Sequence, residues 1–422
     1  MTDTTATDAH TETREGRADR AAARSGDDAG ARRRLAAVVW AVMLAQVVLY
    51  PNVPRLVRVL GASDSLDGGT WFLASEFAAF VLFAGVWGYT SDRLGRRVPL
   101  IVAGAGGGAA GYAAIALAPG LGLGFGAVLV LRAVQGAATI GAFSLAMTML
   151  TDLGGGHGKN MGAAGIAIGL GTAMGAPLGG AVATVDPLAP LALAAALLLC
   201  SGAVALTTPD RAPSGGRDLR AALARLQRRP ALGIPYAFGF VDRLTAGFFA
   251  LVGTLYFQTT FGLGPAMTGV LLACFFVPFA LLQYPMGLLS DRVGRFLPVV
   301  VGSLCYGFTI VAVAFAPSVP VAALAMVLVG VCGALVSPAT MALVTDLAPA
   351  DDRGSAMGGF NVFGSLGFLA GFLLGGWLTD AYGFTTAFVA TGLLEVGIAL
   401  VASRAVARVS GRVLPVGRAR AE

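Results

Sequence analysis

The chain contains two copies of one loop motif. A thirteen-residue segment that begins at Gly88, GYTSDRLGRRVPL, returns at Gly287 as GLLSDRVGRFLPV. The offset is 287 − 88 = 199 residues, close to half of the 422-residue chain. Because both copies lie between long apolar runs, the sequence predicts an internally duplicated membrane protein.

The composition supports a membrane location. Hydrophobic residues make up 56% of the chain and charged residues only 12%, which leaves too little polar surface to cover soluble domains. Twelve apolar segments are each long enough to cross about 30 Å of hydrocarbon as a helix. The predicted spans are residues 35–58, 70–90, 98–117, 122–150, 161–183, 187–207, 232–261, 266–289, 296–317, 319–345, 355–379 and 383–405.

The arginines follow the predicted topology, so the net charge of +6 does not indicate a nucleic-acid surface. They cluster before span one, after spans two, six and eight, and beyond span twelve, whereas Arg55 and Arg58 are the exceptions on the opposite side. The positive-inside rule therefore predicts a cell (inner) membrane protein with both termini cytoplasmic. The predicted organisation is a disordered N-terminal tail (1–34), a six-helix bundle (35–207), a cytoplasmic linker (208–231), a second six-helix bundle (232–405) and a cytoplasmic C-terminal tail (406–422).

The sequence favours no enzymatic or cofactor chemistry. Each of the four cysteines is embedded in a span without metal-ligand spacing, which favours packing over disulfides or zinc. Nucleotide-binding loops and nucleophile triads are absent from the sequence. We expect no cofactor and no metal, with a proton gradient as the energy source.

Other landmarks return in the same order as the loop. Thr151-Asp152-Leu153 matches Thr345-Asp346-Leu347, an offset of 345 − 151 = 194 residues. The glycine series of span five, from Gly171 to Gly180, matches the series from Gly367 to Gly376, an offset of 196. These matches predict an all-α integral membrane fold with twelve transmembrane helices in two pseudo-symmetric six-helix bundles that share one orientation.

The chain resembles the major facilitator superfamily, and within it the twelve-span drug:proton antiporters. Gly88 to Arg97 resembles the family loop motif G-x-x-x-D-R-x-G-R-R. Leu44 to Pro54 resembles the first-span motif of the drug-efflux branch, and Arg132 to Gly136 the fourth-span motif R-x-x-Q-G. Gly171 to Gly180 resembles the fifth-span antiporter motif, except that Ala176 separates Gly175 from Pro177. Such a shift would move the proline kink by about 100° around the helix.

The resemblance implies a conformational latch in the loop between spans two and three. Gly88 permits the turn, Asp92 is expected to face the N-terminus of the eleventh helix and to pair with Arg96, and Asp152 is a further partner. The repeat supplies the same triplet as Asp291, Arg295 and Asp346. A latch of this kind would stabilise the outward-open state. The alternative is ordinary topology with solvated charges, which we favour for Arg93, Arg97 and Arg292.

Small residues predict close contacts between helices. Gly171, Gly175, Gly179 and Gly180, with Pro177 among them, recur as Gly367, Gly371, Gly375 and Gly376. They allow a neighbouring backbone to approach closely. This suits rocking of one half against the other, although plain helix packing explains the pattern equally well.

Ionisable residues inside spans are the sharpest functional signal, because an Arg or Asp at mid-helix is unfavourable by roughly 2.5–3.5 kcal/mol. The candidates for proton coupling or substrate binding are Asp242, Glu76, Arg132, Arg243, and the polar residues Gln135 and Gln46. Counting from the predicted span ends puts Arg132 and Asp242 about 15 Å deep and Glu76 about 10 Å from the outer face. Glu395, in span twelve, is expected to be structural or to lie at the lipid boundary.

Several roles stay open for these residues. Asp242 and Arg243 project about 100° apart, so we expect separate partners, with Asp242 facing a central cavity and Arg243 facing packed helices. Asp242 is either a proton-exchanging group or half of a structural ion pair. Glu76 either admits protons from outside or is a partner of Arg132 or a hydroxyl. The resemblance implies that Arg132, with Gln135, tunes proton release from a nearby carboxyl.

The predicted function is a proton-coupled transporter that exports amphiphilic or drug-like small molecules by alternating access. The presumed cavity is rich in aromatic residues from spans seven and eight, which with one carboxylate suits lipophilic cations. The expected partners are that substrate, protons and the lipid bilayer, with no nucleic acid and a functional monomer. The alternatives are a nutrient or metabolite symporter of the same fold and a lipid-translocating or sensing membrane protein.

Overall fold

Residues 14–154, 157–210, 229–349 and 352–412 are described by a computed structural model. They form α-helices joined by short turns, with no β-strand in these ranges. The helices of the first half are α1 (Arg14–Val47), α2 (Val53–Val59), α3 (Ser65–Leu94), α4 (Val98–Leu117), α5 (Phe125–Asp152), α6 (His157–Val182) and α7 (Ala189–Leu206). Those of the second half are α8 (Gly233–Phe248), α9 (Thr254–Thr260), α10 (Pro265–Val293), α11 (Gly302–Ala314), α12 (Val319–Leu347) and α13 (Arg353–Arg412).

The long helix α13 contains two spans. Eleven stretches of the described chain are helical, long and apolar enough to cross a membrane, and the last of them has 55 residues, or about 80 Å of helix. Gly383 interrupts it with a positive φ of 80°, a conformation that glycine adopts without steric cost. The two segments then fold back, because Gly371 and Phe388 both contact Phe248 of α8. The described residues thus contain about twelve crossings, as the sequence predicts.

Two faces of the bundle are distinguished by their loops. We define the basic face as the one that carries the loops after α3 and α10, with Arg93 and Arg292, and the far face as the opposite one. The chain reaches the far face near Pro51, between α4 and α5, between α6 and α7, after α9, between α11 and α12, and at Gly383.

The glycine series packs mainly within each half, so most of its contacts are the plain helix packing that the sequence left open. A Cβ on Gly171 would meet the backbone of α1, and Gly175 and Gly179 also face α1. Gly367, Gly371 and Gly375 face the equivalent helix, α8. The reason is the spacing: residues four apart share one helix face, and that face is covered by the first span of the same half.

Only the last glycine of each series reaches the other half. Gly180 lies against the backbone of Pro265 and Ala266, and Gly376 lies against Thr70. They are repeat equivalents, since 376 − 180 = 196 is the offset of the series. The two sites place α6 against α10 and α3 against α13, so the interface between halves is itself pseudo-symmetric.

Contacts between the halves concentrate from mid-span to the far face. Gln258 Nε2 donates to the Pro51 carbonyl at 2.6 Å, and the ring of Phe77 stacks on Phe368 with centroids 5.0 Å apart. Phe72 of α3 is fully buried, whereas Leu82, Val86 and Tyr89, nearer the basic face of α3, are exposed. The halves are therefore in contact at the far face, and these three residues of α3 are uncovered toward the basic face.

The N-terminal boundary differs from the prediction of a disordered tail up to residue 34. Helix α1 begins at Arg14, and Ala31 is already buried. Arg32 donates to Asn160 Oδ1 at 2.6 Å, and Arg34 donates to the Thr207 carbonyl at 2.7 Å. These bonds anchor the middle of α1 to neighbouring segments of its half. Residues 1–13, most of the linker (211–228) and the end of the C-terminal tail (413–422) lie outside the described residues.

Candidate functional site

A buried ion pair lies in the first half. Arg132 Nη2 on α5 contacts Glu76 Oε2 on α3 at 2.5 Å, and both side chains are fully buried. Arg132 Nη1 also donates to Gln135 Oε1 at 2.6 Å, and Gln135 Nε2 donates to Thr139 Oγ1 at 2.8 Å. We call Glu76, Arg132, Gln135 and Thr139 the first-half cluster. Of the two roles predicted for Glu76, the structure contains the pairing with Arg132.

Aromatic rings enclose this cluster. The Arg132 guanidinium carbon lies 4.5 Å from the centre of the Phe72 ring and 5.3 Å from that of Tyr112. Such cation–π contacts stabilise an arginine that has lost its water. Glu76 Oε1 and Arg132 Nε have no hydrogen-bond partner among the described residues, nor does the buried Gln46 Nε2. The sequence analysis grouped Glu76, Arg132 and Gln135, and the structure brings these three together, whereas Gln46 makes no hydrogen bond to them among the described residues.

The depth of the first-half cluster differs from the prediction. Glu76 is 76 − 65 = 11 residues after the start of α3, and Arg132 is 132 − 125 = 7 residues after the start of α5. At 1.5 Å per residue they lie about 16 Å and 10 Å from the far ends of their helices. Glu76 is deeper and Arg132 shallower than we expected, because α3 and α5 begin at different residues from the predicted spans.

A second polar group, the second-half cluster, consists of Asp242, Arg243 and Thr245 on α8, Ser303 and Tyr306 on α11, and Glu395 on α13. Thr245 Oγ1 lies 3.3 Å from Glu395 Oε1 and donates to it. Asp242 is one helical turn from Thr245, on the same face of α8. Its carboxylate lies near enough to Glu395 and Tyr306 for direct electrostatic interaction. Asp242, Tyr306 and Glu395 are buried.

Asp242 and Arg243 face the opposite way from the prediction. The Asp242 side chain is 6% exposed and lies within the second half, whereas the Arg243 side chain is 31% exposed and lies beside Gly364 of α13. Arg243 Nε is 3.7 Å from Asp242 Oδ2, an ion-pair distance that is too long for a hydrogen bond. The two residues interact despite their 100° separation because the arginine side chain is long enough to reach back.

Glycines allow the second-half cluster to form. A Cβ on Gly307 of α11 or on Gly392 of α13 would collide with the other helix, so these backbones are in contact. Gly392 is three residues before Glu395, and Gly307 follows Tyr306 directly. The close approach brings the Glu395 carboxylate into the bundle beside Ser303 and Tyr306. Its burial contradicts the predicted lipid-boundary position and leaves the structural role or a functional one.

Most of the predicted cavity aromatics form packing instead. Phe248 makes an edge contact with Phe388 at 4.8 Å between centroids, and Phe249 stacks on Phe275 at 6.0 Å. Phe238, Phe257 and Phe276 are also buried, whereas Tyr284 is exposed. The periodicity that places aromatics on one face cannot distinguish a cavity wall from a helix interface.

The two copies of the repeated loop differ in detail. In the second, Arg295 donates to Asp291 at 2.6 Å and to Asp346 at 2.9 Å, as predicted. Partial burial acts in the opposite sense, but these hydrogen bonds raise the pKa of the Arg295 guanidinium.

In the first loop it is Arg97, and not Arg96, that pairs with Asp152, at 2.7 Å. Arg97 is buried, whereas Asp92 and Arg96 are exposed. The prediction that Arg96 makes this pair and that Arg97 is solvated is wrong because α4 begins at Val98. The Arg97 side chain is thereby held against α5, and Arg96 remains in the turn.

Asp210 is a residue that the sequence analysis did not single out. Its carboxylate accepts from the amides of Arg97, at 3.1 Å, and Val98, at 3.3 Å, and so caps the N-terminus of α4. Asp210 is 112 residues from Val98 along the chain, so no local sequence signal connects them. The cap connects the start of the linker to the repeated loop.

A family model matches most of the chain. The model described as Major Facilitator Superfamily matches residues 35–249 and again residues 236–420. The two matches correspond to the two halves of the structure.

Curated relatives match parts of the chain. An uncharacterised MFS-type transporter of Methanocaldococcus jannaschii is 30% identical over 162 residues, which are 38% of this chain and 42% of that protein. A quinolone resistance transporter of Acinetobacter baumannii is 32% identical over 177 residues, 40% of each chain. The inner membrane transport protein YajR of Escherichia coli is 31% identical over 183 residues, 41% and 38% of the two chains. The chain thus spans about two fifths of the length of these relatives.

Solved structures share the fold over nearly the whole length. A bacterial homologue of the human lysosomal transporter Spinster has a TM-score of 0.73 at 15% identity, over 92% of this chain and 98% of that one. The nucleoside transporter NupG has a TM-score of 0.70 at 15% identity, over 90% and 98%. The human organic anion transporter TETRAN has a TM-score of 0.67 at 19% identity, over 90% and 99%. At these identities the likeness concerns the fold alone.

Proposed function

The chain belongs to the major facilitator superfamily, and we propose that it exports amphiphilic, drug-like small molecules in exchange for protons by alternating access. The similarity to a quinolone resistance transporter over 40% of the chain supports a drug-like substrate. In this proposal the proton gradient is the energy source and the protein works in the cell membrane as a monomer.

The second-half cluster is the observation that carries this proposal. Asp242 lies 242 − 230 = 12 residues from the start of its span, or about 18 Å from the basic end. A carboxylate buried there is unfavourable unless it is neutralised by a cation or a proton. Its nearest cation, Arg243, is 3.7 Å away and partly exposed. Asp242 is therefore suited to alternate between pairing with Arg243 and carrying a proton.

The proposed topology places the basic face in the cytoplasm, following the positive-inside rule. Closure at the far face then corresponds to an inward-facing state, in which substrate reaches the chain from the cytoplasm. The exposure of Asp92 and Arg96 fits a latch that is released in this state. In the outward-facing state Asp92 would meet the start of α13 and connect the halves.

The test uses inside-out vesicles that contain the full chain. A pH gradient, acidic inside, should drive accumulation of a fluoroquinolone or of ethidium, and addition of either compound should release protons from the vesicle interior. Asp242→Asn should abolish both signals, because an amide cannot exchange a proton. Asp380→Asn is the matched control, since Asp380 is an exposed carboxylate near the far face. Normal gradient-driven accumulation by Asp242→Asn vesicles would overturn the assignment.

The same vesicles separate export from symport. A nutrient or metabolite symporter, the alternative, would move substrate in the same direction as protons, so ethidium or fluoroquinolone would cause no proton release. The balanced first-half cluster supplies no second exchangeable charge, because Glu76 and Arg132 neutralise each other. We therefore assign coupling to Asp242 and propose a positioning role for Arg132, Gln135 and Glu76.

A further inference from the structure

We propose that Glu395 and Asp242 form a two-carboxyl proton site, in which Glu395 keeps a proton while Asp242 exchanges one. This inference deepens the proposed function and depends on it only for the role of Asp242 in transport. The presence of a protonated Glu395 can be tested in the purified protein without substrate or a proton gradient.

The two carboxyl groups lie at similar depth on adjacent helices. Asp242 is about 18 Å from the basic end of its span, and Glu395 is 410 − 395 = 15 residues, or about 22 Å, from the end of its own. Thr245 connects them, because it is one turn from Asp242 and hydrogen-bonds Glu395. The edge contact of Phe248 with Phe388, 4.8 Å between ring centroids, packs α8 against the segment of α13 that carries Glu395.

The surroundings of Glu395 favour its neutral form. The titratable groups that interact with it are Asp242 from α8 and Tyr306 from α11, and Tyr306 also interacts with Arg243 from α8 and Cys332 from α12. Arg243 is the single cation among them, and its guanidinium lies beside Asp242. With both carboxyls ionised, the cluster would carry a buried net charge of 2 − 1 = 1 negative unit, which is strongly unfavourable in low dielectric. One proton on Glu395 neutralises this net negative charge.

Hydroxyl groups complete the site for a protonated carboxyl. The Thr245 hydroxyl lies 3.3 Å from Glu395 Oε1. The buried Ser303 hydroxyl interacts with the same carboxyl. A carboxylic acid can donate to such a hydroxyl, whereas a carboxylate can only accept. Ser303 thus offers an acceptor for the proton that we assign to Glu395.

Coupling follows from the repulsion between the two carboxyls. When Asp242 ionises, its negative charge strengthens the hold of Glu395 on its proton, and a protonated Asp242 weakens it. Glu395 is then a positioning residue for proton exchange, since it sets the conditions under which Asp242 releases its proton. Substrate need not touch it.

Infrared spectroscopy of the purified full-length protein tests this inference. The carbonyl stretch of a protonated carboxyl is distinct from the bands of a carboxylate. Wild type at neutral pH should show such a band that Glu395→Gln lacks and that Asp380→Asn retains. In Asp242→Asn the pH at which the band disappears should fall by about one unit or more, since the neighbouring negative charge is gone.

The outcomes separate the two proposals. Identical carbonyl spectra of wild type and Glu395→Gln at neutral pH would overturn the two-carboxyl site. A Glu395 band whose pH dependence is unchanged in Asp242→Asn would overturn the coupling. If the band behaves as expected but vesicles exchange no protons for substrate, the site stands and the proposed function fails. Glu395→Asp keeps a carboxyl group and should retain a shifted carbonyl band. It is the control for misfolding, since a band present in Glu395→Asp and absent in Glu395→Gln belongs to residue 395.

Discussion

The two polar clusters differ in charge balance although they lie in duplicated halves. The first-half cluster has one acid and one base in contact at 2.5 Å, both fully buried. The second-half cluster has two acids and one base, and the base is partly exposed and 3.7 Å from its nearer partner. A balanced pair can stay charged without exchanging protons, whereas an unbalanced group must bind or release them. Under the proposed function, duplication kept the scaffold, the first-half cluster is structural and the second-half cluster carries proton coupling.

The repeat makes this divergence explicit. The loop offset of 199 places Phe275 at the position of Glu76, and the offset of 194 places Met326 at that of Arg132. Both replacements are buried and apolar. The second half therefore lost, or never had, the ion pair of the first half, and its charges lie on α8 and α13 instead.

The largest expected effect comes from breaking the balanced pair. Arg132→Met leaves Glu76 buried without its cation and should lower the free energy of unfolding by about 3–5 kcal/mol. The double variant Glu76→Gln with Arg132→Met should recover most of that loss. Glu395→Gln, which removes an unbalanced acid, should leave stability unchanged or raise it. Thermal unfolding in detergent measures all three, and equal losses in the two clusters would refute the distinction.

The repeated loops provide the next comparison, because Arg97 and Arg295 occupy different repeat positions yet make similar pairs. Arg97→Gln removes a buried, charged hydrogen bond to Asp152 and should lower stability by about 1.5–3 kcal/mol. Arg96→Gln changes an exposed residue and should have an effect within about 0.5 kcal/mol. The same unfolding assay checks both. A larger effect of Arg96→Gln would restore the family pairing that the structure contradicts.

Much of this fold could be predicted from the sequence, whereas only part of the site could. The repeat and hydropathy sufficed for two like-oriented halves, because long apolar runs have few alternatives to membrane helices. Spacing also brought Arg132 to Gln135, three residues apart on one helix. It could not reveal that Asp242 and Glu395 belong to one cluster, because their proximity depends on the rotation of α8 and on how α13 packs against it. Nor could the sequence decide whether Arg96 or Arg97 pairs with Asp152. That choice depends on the residue at which α4 begins, and a shift of one residue would exchange the two arginines.

Glycine contacts show where the halves behave alike. A Cβ on Gly371 would collide with the α8 backbone, so Gly371→Ala should destabilise the second half by about 1–3 kcal/mol.

Gly180→Ala and Gly376→Ala instead collide across the interface between halves and should favour the state that is open at the far face. Accessibility of a cysteine introduced at Thr70 measures the shift. Gly106→Ala, in open space, is the control. Unequal shifts for Gly180 and Gly376 would show that the interface is not functionally symmetric.

The smallest effect concerns the equivalent helix starts at the far face. Asp64 caps α3 by accepting from the amides of Leu66 and Asp67 at 2.7 and 3.0 Å, whereas Gly264, at the start of α10, has no side-chain cap. Asp64→Ala should lower stability by about 1 kcal/mol, and Gly264→Asp, which has open space around it, should raise it by a similar or smaller amount.

The pH dependence of stability distinguishes the charged Asp64 cap from simple packing of its side chain. The hydrogen bond from the Asp67 amide, joined by that from Leu66, lowers the pKa of Asp64 below its ordinary value. Its contribution is therefore complete above that ordinary value and is lost as the pH falls through the lowered value. The stability difference between wild type and Asp64→Ala should stay constant near neutral pH and shrink below about pH 4. If the stability difference between wild type and Asp64→Ala persisted in strong acid, packing of the Asp64 side chain, and not its charge, would distinguish the start of α3 from that of α10.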